Sequence, residues 1–217
     1  MYVNVSYISF VDEKYFTCIY IMSFDNAKKR LIEHFSSKHF FDKIEEEDPT
    51  MVKYIDAFKK IASYGFLSFN SQGGHNKKMQ SDNHKNYEMC ERSFILGFME
   101  KDNAEKFIKE MNLTTDKICI YIPKCDTDDL PTLLDIPLTI VIKDNDVNIH
   151  THMSTAMPSN VWKHMKSEIF IDNDNDDVVM ILCYDGKWNR NGLMNGDIYN
   201  NGLFIDVIKT LEWISSK

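Results

Sequence analysis

Segments rich in β-branched and aromatic residues follow one another along this chain with no helix between them. "KICIYI" (117–122) and "LTIVIK" (138–143) are separated only by a proline-containing loop, and "LTIVIKDND" pairs with "DVNIHTH" (146–152) as a hairpin. A doubly wound parallel sheet needs a helix after each strand. The order therefore favours an α+β fold, with mixed or antiparallel sheets flanked by amphipathic helices.

Two single helices carry the clearest apolar stripes. "DPT" at 48–50 is a helix start, because Asp48 can cap the helix and Pro49 suits its first turn. Gly65 then ends the helix predicted over 50–63. A second amphipathic helix is predicted over 203–215. We expect both helices to pack on the sheets.

The other segments are predicted from periodicity and turn residues. Residues 25–40 have helical spacing, 42–48 form a charged connection, and 73–88 form a polar loop. The remaining elements are strands at 2–10 and 13–22 forming a hairpin, strands at 66–70, 89–99 and 177–184, and a helix at 102–112.

Composition narrows the class of partner. The 217 residues carry a net charge of −8, which argues against binding to a nucleic-acid backbone. No apolar run approaches the roughly 18 residues needed to cross a bilayer, so we expect no membrane partner. The five cysteines are scattered without a CxxC pair, and from "MYVNVSYISF" we expect no signal peptide. We therefore expect reduced cysteines and a cytoplasmic protein.

No sequence motif indicates a particular reaction. The double glycine at 73–74 lacks the Lys and Ser/Thr of a phosphate-binding loop. "DNDNDD" at 172–177 lacks the Gly and Glu of a calcium loop. His150 and His152 share a strand face at a spacing that suits a metal, but no third ligand is close in sequence. We expect no catalytic residues, no metal site and no enzymatic activity.

The order of features from residue 45 to 217 resembles the C-terminal regulatory domain of eukaryotic methylenetetrahydrofolate reductases. "DPTMVKY" begins the helix, and "GFLSFNSQGG" (65–74) follows where the family reads close to "LTINSQP". "ERSFILGF" (91–98), "PSNVW" (158–162) and "LFIDVIKTLEWI" (203–214) are similar to the family's "QKAYLEFF", "PNAVTW" and "LWQVVEDTLELL". The resemblance does not include the family's catalytic barrel.

The resemblance implies a ligand and the residues that bind it. The family's domain binds S-adenosylmethionine as an allosteric inhibitor and catalyses nothing itself. Ser68 and Ser71 match the hydroxyls that face the ligand, and Thr50 matches the threonine that starts the preceding helix. We expect one regulatory-like domain over 1–217, in which residues 1–44 add an N-terminal hairpin and helix.

The sequence is compatible with three functions. The first is a non-catalytic domain that binds S-adenosylmethionine, a related small ligand or a protein. The second is a protein-interaction or structural protein, as a homodimer or with another partner, that keeps the fold without the ligand site. The bias to Asn, Asp, Lys and Ile is typical of AT-rich genomes, such as those of some protists and large DNA viruses. A viral origin would place the protein in a virion or host cell. The third is a methyltransferase, against which the glycine-rich strand-to-helix turn is missing.

Overall fold

The computed structural model describes most of the chain. The described residues are 23–47, 49–74, 76–80, 86–125, 135–143, 146–169, 177–186 and 202–217. The predicted N-terminal hairpin at 2–22 lies outside them, as does nearly all of the "DNDNDD" segment.

The described residues form six α-helices and one 3₁₀ segment. They are α1 (Phe24–Phe35), α2 (Lys38–Glu47), the 3₁₀ segment Pro49–Tyr54, α3 (Ile55–Ser63), α4 (Lys101–Thr114), α5 (Ser159–Glu168) and α6 (Leu203–Ser215). None of these helices is long and apolar enough to cross a membrane.

Ten described strands form three sheets. They are β1 (Leu67–Gly73), β2 (Asn76–Gln80), β3 (Asn86–Glu91), β4 (Ser93–Glu100), β5 (Lys117–Ile122), β6 (Lys124–Cys125), β7 (Ile136–Lys143), β8 (Asp146–Met153), β9 (Met157–Pro158) and β10 (Val178–Asp185). The first sheet has the order β1-β4-β10-β5 and the second β2-β3-β7-β8, with all their described pairs antiparallel. β6 and β9 form a short parallel pair. The α+β prediction is confirmed.

Helices cover one face of the first sheet. α3 contacts β1, α4 contacts β4, and α6 contacts β4 and β10. On the opposite face Trp162 of α5 packs edge-to-face on Phe98 of β4, with ring centroids 5.1 Å apart. Buried apolar side chains from both four-stranded sheets and all six helices join in one cluster. The expectation that the helices near 50–63 and 203–215 pack on the sheet is confirmed.

The prediction of one helix over 25–40 is wrong, because two serines interrupt it. α1 ends at Phe35 and α2 begins at Lys38. The Ser37 hydroxyl donates to the carbonyl of His34 at 2.7 Å and accepts from the amide of Phe40 at 3.2 Å. Such local side-chain bonds compete with the helical backbone pattern.

Residues 42–48 were predicted as a connection, but α2 continues through them to Glu47. Phe40 and Ile44 are both buried and stand four residues apart, so they anchor one face of α2 in the core. The helix predicted over 50–63 starts instead as the 3₁₀ segment and becomes α-helical at Ile55. Its predicted end is confirmed, since Gly65 has φ +85° and its amide bonds to the Ala62 carbonyl.

The polar loop predicted at 73–88 is wrong, because it contains β2 and the first half of β3. The strand predicted over 89–99 is also divided: β3 ends at Glu91 and β4 begins at Ser93. Between them the Arg92 amide donates to the Leu138 carbonyl at 2.8 Å. The chain thus crosses from the second sheet to the first at Arg92.

Candidate functional site

A β-bulge in β1 sets the direction of the two predicted serines. Ser68 lies opposite Gly97 of β4, and Ser71 lies opposite Ile95, because the register shifts at Phe69. Directly opposed residues share a sheet face, and so do residues two apart in one strand. Ser68 and Ser71, three residues apart, therefore face the same side. Without the bulge they would face opposite sides.

Both serine side chains are buried and lack a hydrogen-bond partner among the described residues. Ser68 is 0% exposed and Ser71 is 6% exposed. The amide nitrogen of Gln72, which lies opposite Phe94 and therefore on the other face of β1, is also buried without such a partner. A buried polar group left unsatisfied costs about 1–3 kcal/mol. The serine-bearing face of β1 thus holds hydrogen-bonding capacity that the described part of the fold does not use.

The double glycine at the end of β1 is explained by packing. A Cβ atom at Gly73 would lie 2.7 Å from the Tyr54 ring. Gly74 has φ +61°, and a Cβ there would lie 2.5 Å from the Ser93 backbone nitrogen. The Ser93 hydroxyl also donates to the Gly73 carbonyl at 2.9 Å. Both glycines are required by close contacts within the protein, whether or not a ligand binds nearby.

Tyr54 covers the serine-bearing face at its Gly73 end. Gly73 lies opposite Ser93 and so shares a face with Ser71. The Tyr54 ring lies against Gly73 on one side and stacks on Phe204 of α6, with centroids 4.5 Å apart and planes at 21°. Tyr54 is itself buried. The site is therefore closed over by an aromatic pair in this structure.

The 3₁₀ segment brings the third predicted residue to the same region. Thr50 lies in this segment, which contacts β1 and ends at Tyr54. The structure thus places the backbone of Thr50 and the strand carrying Ser68 and Ser71 in adjacent elements. The role of these three residues in binding stays a prediction.

Neither serine has the neighbour that a nucleophilic serine requires among the described residues. An activated serine needs a general base within hydrogen-bond reach. Neither Ser68 nor Ser71 has such a partner within the described ranges. Their hydroxyls can donate to and accept from a polar group placed against β1.

An ion cluster fixes α6 over the same face of the sheet. Lys117 of β5 bonds the carboxylates of Asp116 and Asp185 at 2.9 and 2.8 Å, and Asp206 of α6 lies 3.9 Å away. Burial opposes the charge of Lys117, but the bonds to Asp116 and Asp185 outweigh it and raise its pKa. Burial raises the pKa of Asp206, against the opposing effect of Lys117. The cluster ties the helix that carries Phe204 to the far edge of the sheet.

The histidines of β8 do not form a metal centre with other described residues. His152 Nε2 lies 3.5 Å from a carboxylate oxygen of Asp135, and both side chains are about half exposed. The β7–β8 register is irregular next to His150, so regular alternation with His152 is interrupted. Within the described ranges, no three His, Cys, Asp or Glu side chains are placed to hold a metal ion.

Sequence reasoning missed three residues that shape the site, namely Tyr54, Gly97 and Phe204. A Cβ at Gly97 would lie 2.5 Å from the Leu67 carbonyl oxygen, where β1 bulges against β4. An isolated glycine inside a strand pattern is a known signal of a bulge or a close backbone approach. "ILGFM" therefore carried this signal, whereas Tyr54 and Phe204 lie in predicted helices with no feature of the sequence that marks them.

No protein-family model matches this chain, and no curated protein matches it either.

Proposed function

We propose that the chain is a non-catalytic, regulatory-like domain that binds S-adenosylmethionine or a related small ligand at the serine-bearing face of β1. The observation that carries this proposal is the pair of buried hydroxyls, Ser68 and Ser71, with no partner among the described residues. The carboxylate and ribose hydroxyls of S-adenosylmethionine offer the acceptors and donors that these groups lack. The resemblance over 45–217 supplies the choice of ligand.

We expect a ligand that enters from the Gly73 end to displace the Tyr54 ring. Tyr54 closes the Gly73 end of the face, and it is held there by its stack on Phe204. A ligand that reaches Ser71 from this end would displace the Tyr54 ring and take its place against β1. We therefore expect binding to change the environment of Tyr54.

The thermal stability of the protein should rise with the ligand. A ligand that binds only the folded state stabilises it by about 2.7 kcal/mol at a hundredfold excess over its dissociation constant. Ser68→Ala and Ser71→Ala should each weaken binding by about twofold to tenfold, the loss of one hydrogen bond. The check is a thermal-shift titration with S-adenosylmethionine and its demethylated product, with dissociation constants from calorimetry.

The stability of the ligand-free variants distinguishes Ser68 and Ser71 from buried serines that already have a hydrogen-bond partner. Ser68→Ala and Ser71→Ala remove unsatisfied groups, so the ligand-free variants should be as stable as the parent or more stable. Ser93→Ala is the matched control, because its hydroxyl already bonds Gly73 and its loss should cost about 1 kcal/mol. No heat and no thermal shift with millimolar ligand would reject the site.

A second candidate function is self-association through β8, which favours the protein-interaction alternative. β8 is the last described strand of the second sheet, and six of its eight side chains are exposed. Val147 is 53% exposed and Ile149 is 58% exposed. An exposed edge strand with apolar side chains is a template for pairing with another strand.

The sequence of β8 complements itself when two copies run antiparallel. With Ile149 opposite its own copy, Asp146 faces His152 twice, and Val147 faces Thr151. A carboxylate opposite an imidazole and an apolar pair on the axis both favour this register. The occupant of the edge would then be a second copy of this chain.

Light scattering during size exclusion tests this register. We expect a mass twice the 25.4 kDa of the chain, and a single chain mass for Ile149→Lys, which would place two ammonium groups on the axis. Leu113→Lys, an exposed apolar position on α4, is the matched control and should remain dimeric. A parent protein that stays monomeric at every concentration would exclude self-pairing.

A further inference from the structure

Two buried cysteines lie directly opposite each other on neighbouring strands of the first sheet. Cys119 of β5 pairs with Cys183 of β10, and their Sγ atoms are 2.7 Å apart. Both residues are thiols in the structure and both are buried. They stand 64 residues apart in the chain, so their spacing gives no sign of the contact.

Cys119 and Cys183 form a non-hydrogen-bonded pair, the type of antiparallel pair in which the two Cα atoms lie closer together. The Cys119 amide donates to the Asn112 side-chain oxygen and its carbonyl accepts from the Asn112 nitrogen, both at 2.8 Å. Both backbone groups of Cys119 therefore point away from β10, which makes Cys119–Cys183 a non-hydrogen-bonded pair. In such pairs the Cα atoms approach to about 4.5 Å, within the range that a disulfide spans.

We propose that Cys119 and Cys183 are a disulfide-forming pair that a peroxide oxidises. One thiol sulfur attacks a peroxide oxygen and breaks the O–O bond, which gives a sulfenic acid and releases water. The second sulfur displaces the sulfenic oxygen, which leaves as a second water. The two thiols thus lose two protons and two electrons, and hydrogen peroxide is reduced to two waters.

The surroundings make this a slow reaction with a stable product. Burial, followed by the Cys119 neighbour, raises the pKa of the Cys183 thiol, so little reactive thiolate forms in the closed protein. Oxidation therefore requires a local opening that admits the peroxide and water. Once formed, the bond joins the edge strand β5 to β10 and encloses β7, β8 and α5 in one covalent loop.

Peptide mapping of the full-length protein tests the pair directly. Trypsin cuts the sequence so that Cys119 falls in residues 118–124 and Cys183 in residues 167–187, with no other cysteine in either peptide. After treatment with hydrogen peroxide in urea below the unfolding transition, we expect these peptides linked, with the loss of two hydrogen atoms. The thiol count of the denatured protein should fall from five to three.

Stability and two variants complete the test. The oxidised protein should melt roughly 10 °C higher than the reduced protein, because the bond closes a long loop. Cys119→Ser should abolish this shift, whereas Cys90→Ser, which changes another buried cysteine, should keep it. Recovery of Cys119 and Cys183 as separate thiols or sulfinic acids after exhaustive oxidation, or in bonds to other cysteines, would overturn the proposal.

Discussion

Replacing Gly97 with alanine should lower the free energy of unfolding by about 3 kcal/mol. A Cβ atom at this position would lie 2.5 Å from the carbonyl oxygen of Leu67 and 2.7 Å from the Cα of Ser68. Both contacts are with backbone atoms, so no side chain can rotate to relieve them. β1 and β4 would have to separate where β1 bulges, and their ladder would weaken there. Urea unfolding of the purified variant measures the loss.

Gly65→Ala is the control for the Gly97 prediction. Gly65 has φ +85°, but a Cβ there would meet only a Phe24 ring carbon at 3.6 Å, an ordinary contact. Its cost should be the conformational one alone, about 1–2 kcal/mol. If Gly97→Ala cost no more than this, the close approach of the two backbones would not be needed for stability.

The same bulge explains how much of the site could be predicted. The resemblance predicts Ser68 and Ser71, and the structure puts both on one face beside the 3₁₀ segment of Thr50. Regular alternation would have separated the two serines, because they are three residues apart. The close strand approach at Gly97 was signalled by the sequence, whereas the partners of Tyr54 were not.

The hairpin of β7 and β8 was predictable because its pattern is local. Alternating β-branched residues on each side of a polar turn specify both strands and their pairing. The terminal helix α6 was predictable for a similar reason, since its apolar stripe repeats at helical spacing. Tertiary packing did not have to be known for either element.

β2 and the first half of β3 were missed because their sequences show no clear alternation of polar and apolar residues. Residues 76–80 are "NKKMQ" and residues 86–91 are "NYEMCE", which mix polar and apolar positions. β3 is a strand because β7 pairs with one of its edges and β2 with the other. β7, which pairs with Glu88–Glu91, lies some 50 positions later in the chain, and local propensity cannot show this pairing.

The contact of Cys119 with Cys183 was hidden for the same physical reason. Each cysteine sits inside an apolar strand that reads as core, and the strand order that joins them is not sequential. Only the antiparallel register of β5 and β10 puts the two thiols side by side. Pairing between strands that are distant in the chain therefore could not be predicted from the sequence. This holds both for the strand order and for the contact between the two thiols.

Phe204→Ala should destabilise the protein by about 3–5 kcal/mol, the range for removing a buried phenylalanine. The Phe204 ring stacks on Tyr54 and meets Phe58 edge-to-face, with centroids 5.4 Å apart. Its loss would leave a cavity between α3, α6 and the 3₁₀ segment. Trp213→Ala is the control on the same helix: Trp213 is larger but exposed, so its loss should cost no more than about 1 kcal/mol. Chemical denaturation of both variants gives the comparison.

Phe204→Leu separates the volume of the ring from its stacking. Leucine fills much of the space but cannot stack on Tyr54, so this variant should lose about 0.5–1.5 kcal/mol of aromatic pairing beyond the change in buried area. Tyr54 would then be held less firmly against Gly73, and near-ultraviolet circular dichroism should report a weaker aromatic signal. If the cover controls access to Ser71, this variant should bind the ligand more tightly than the parent, because less stacking has to be broken. Equal affinity in the two proteins would mean that Tyr54 stays in place when the ligand binds.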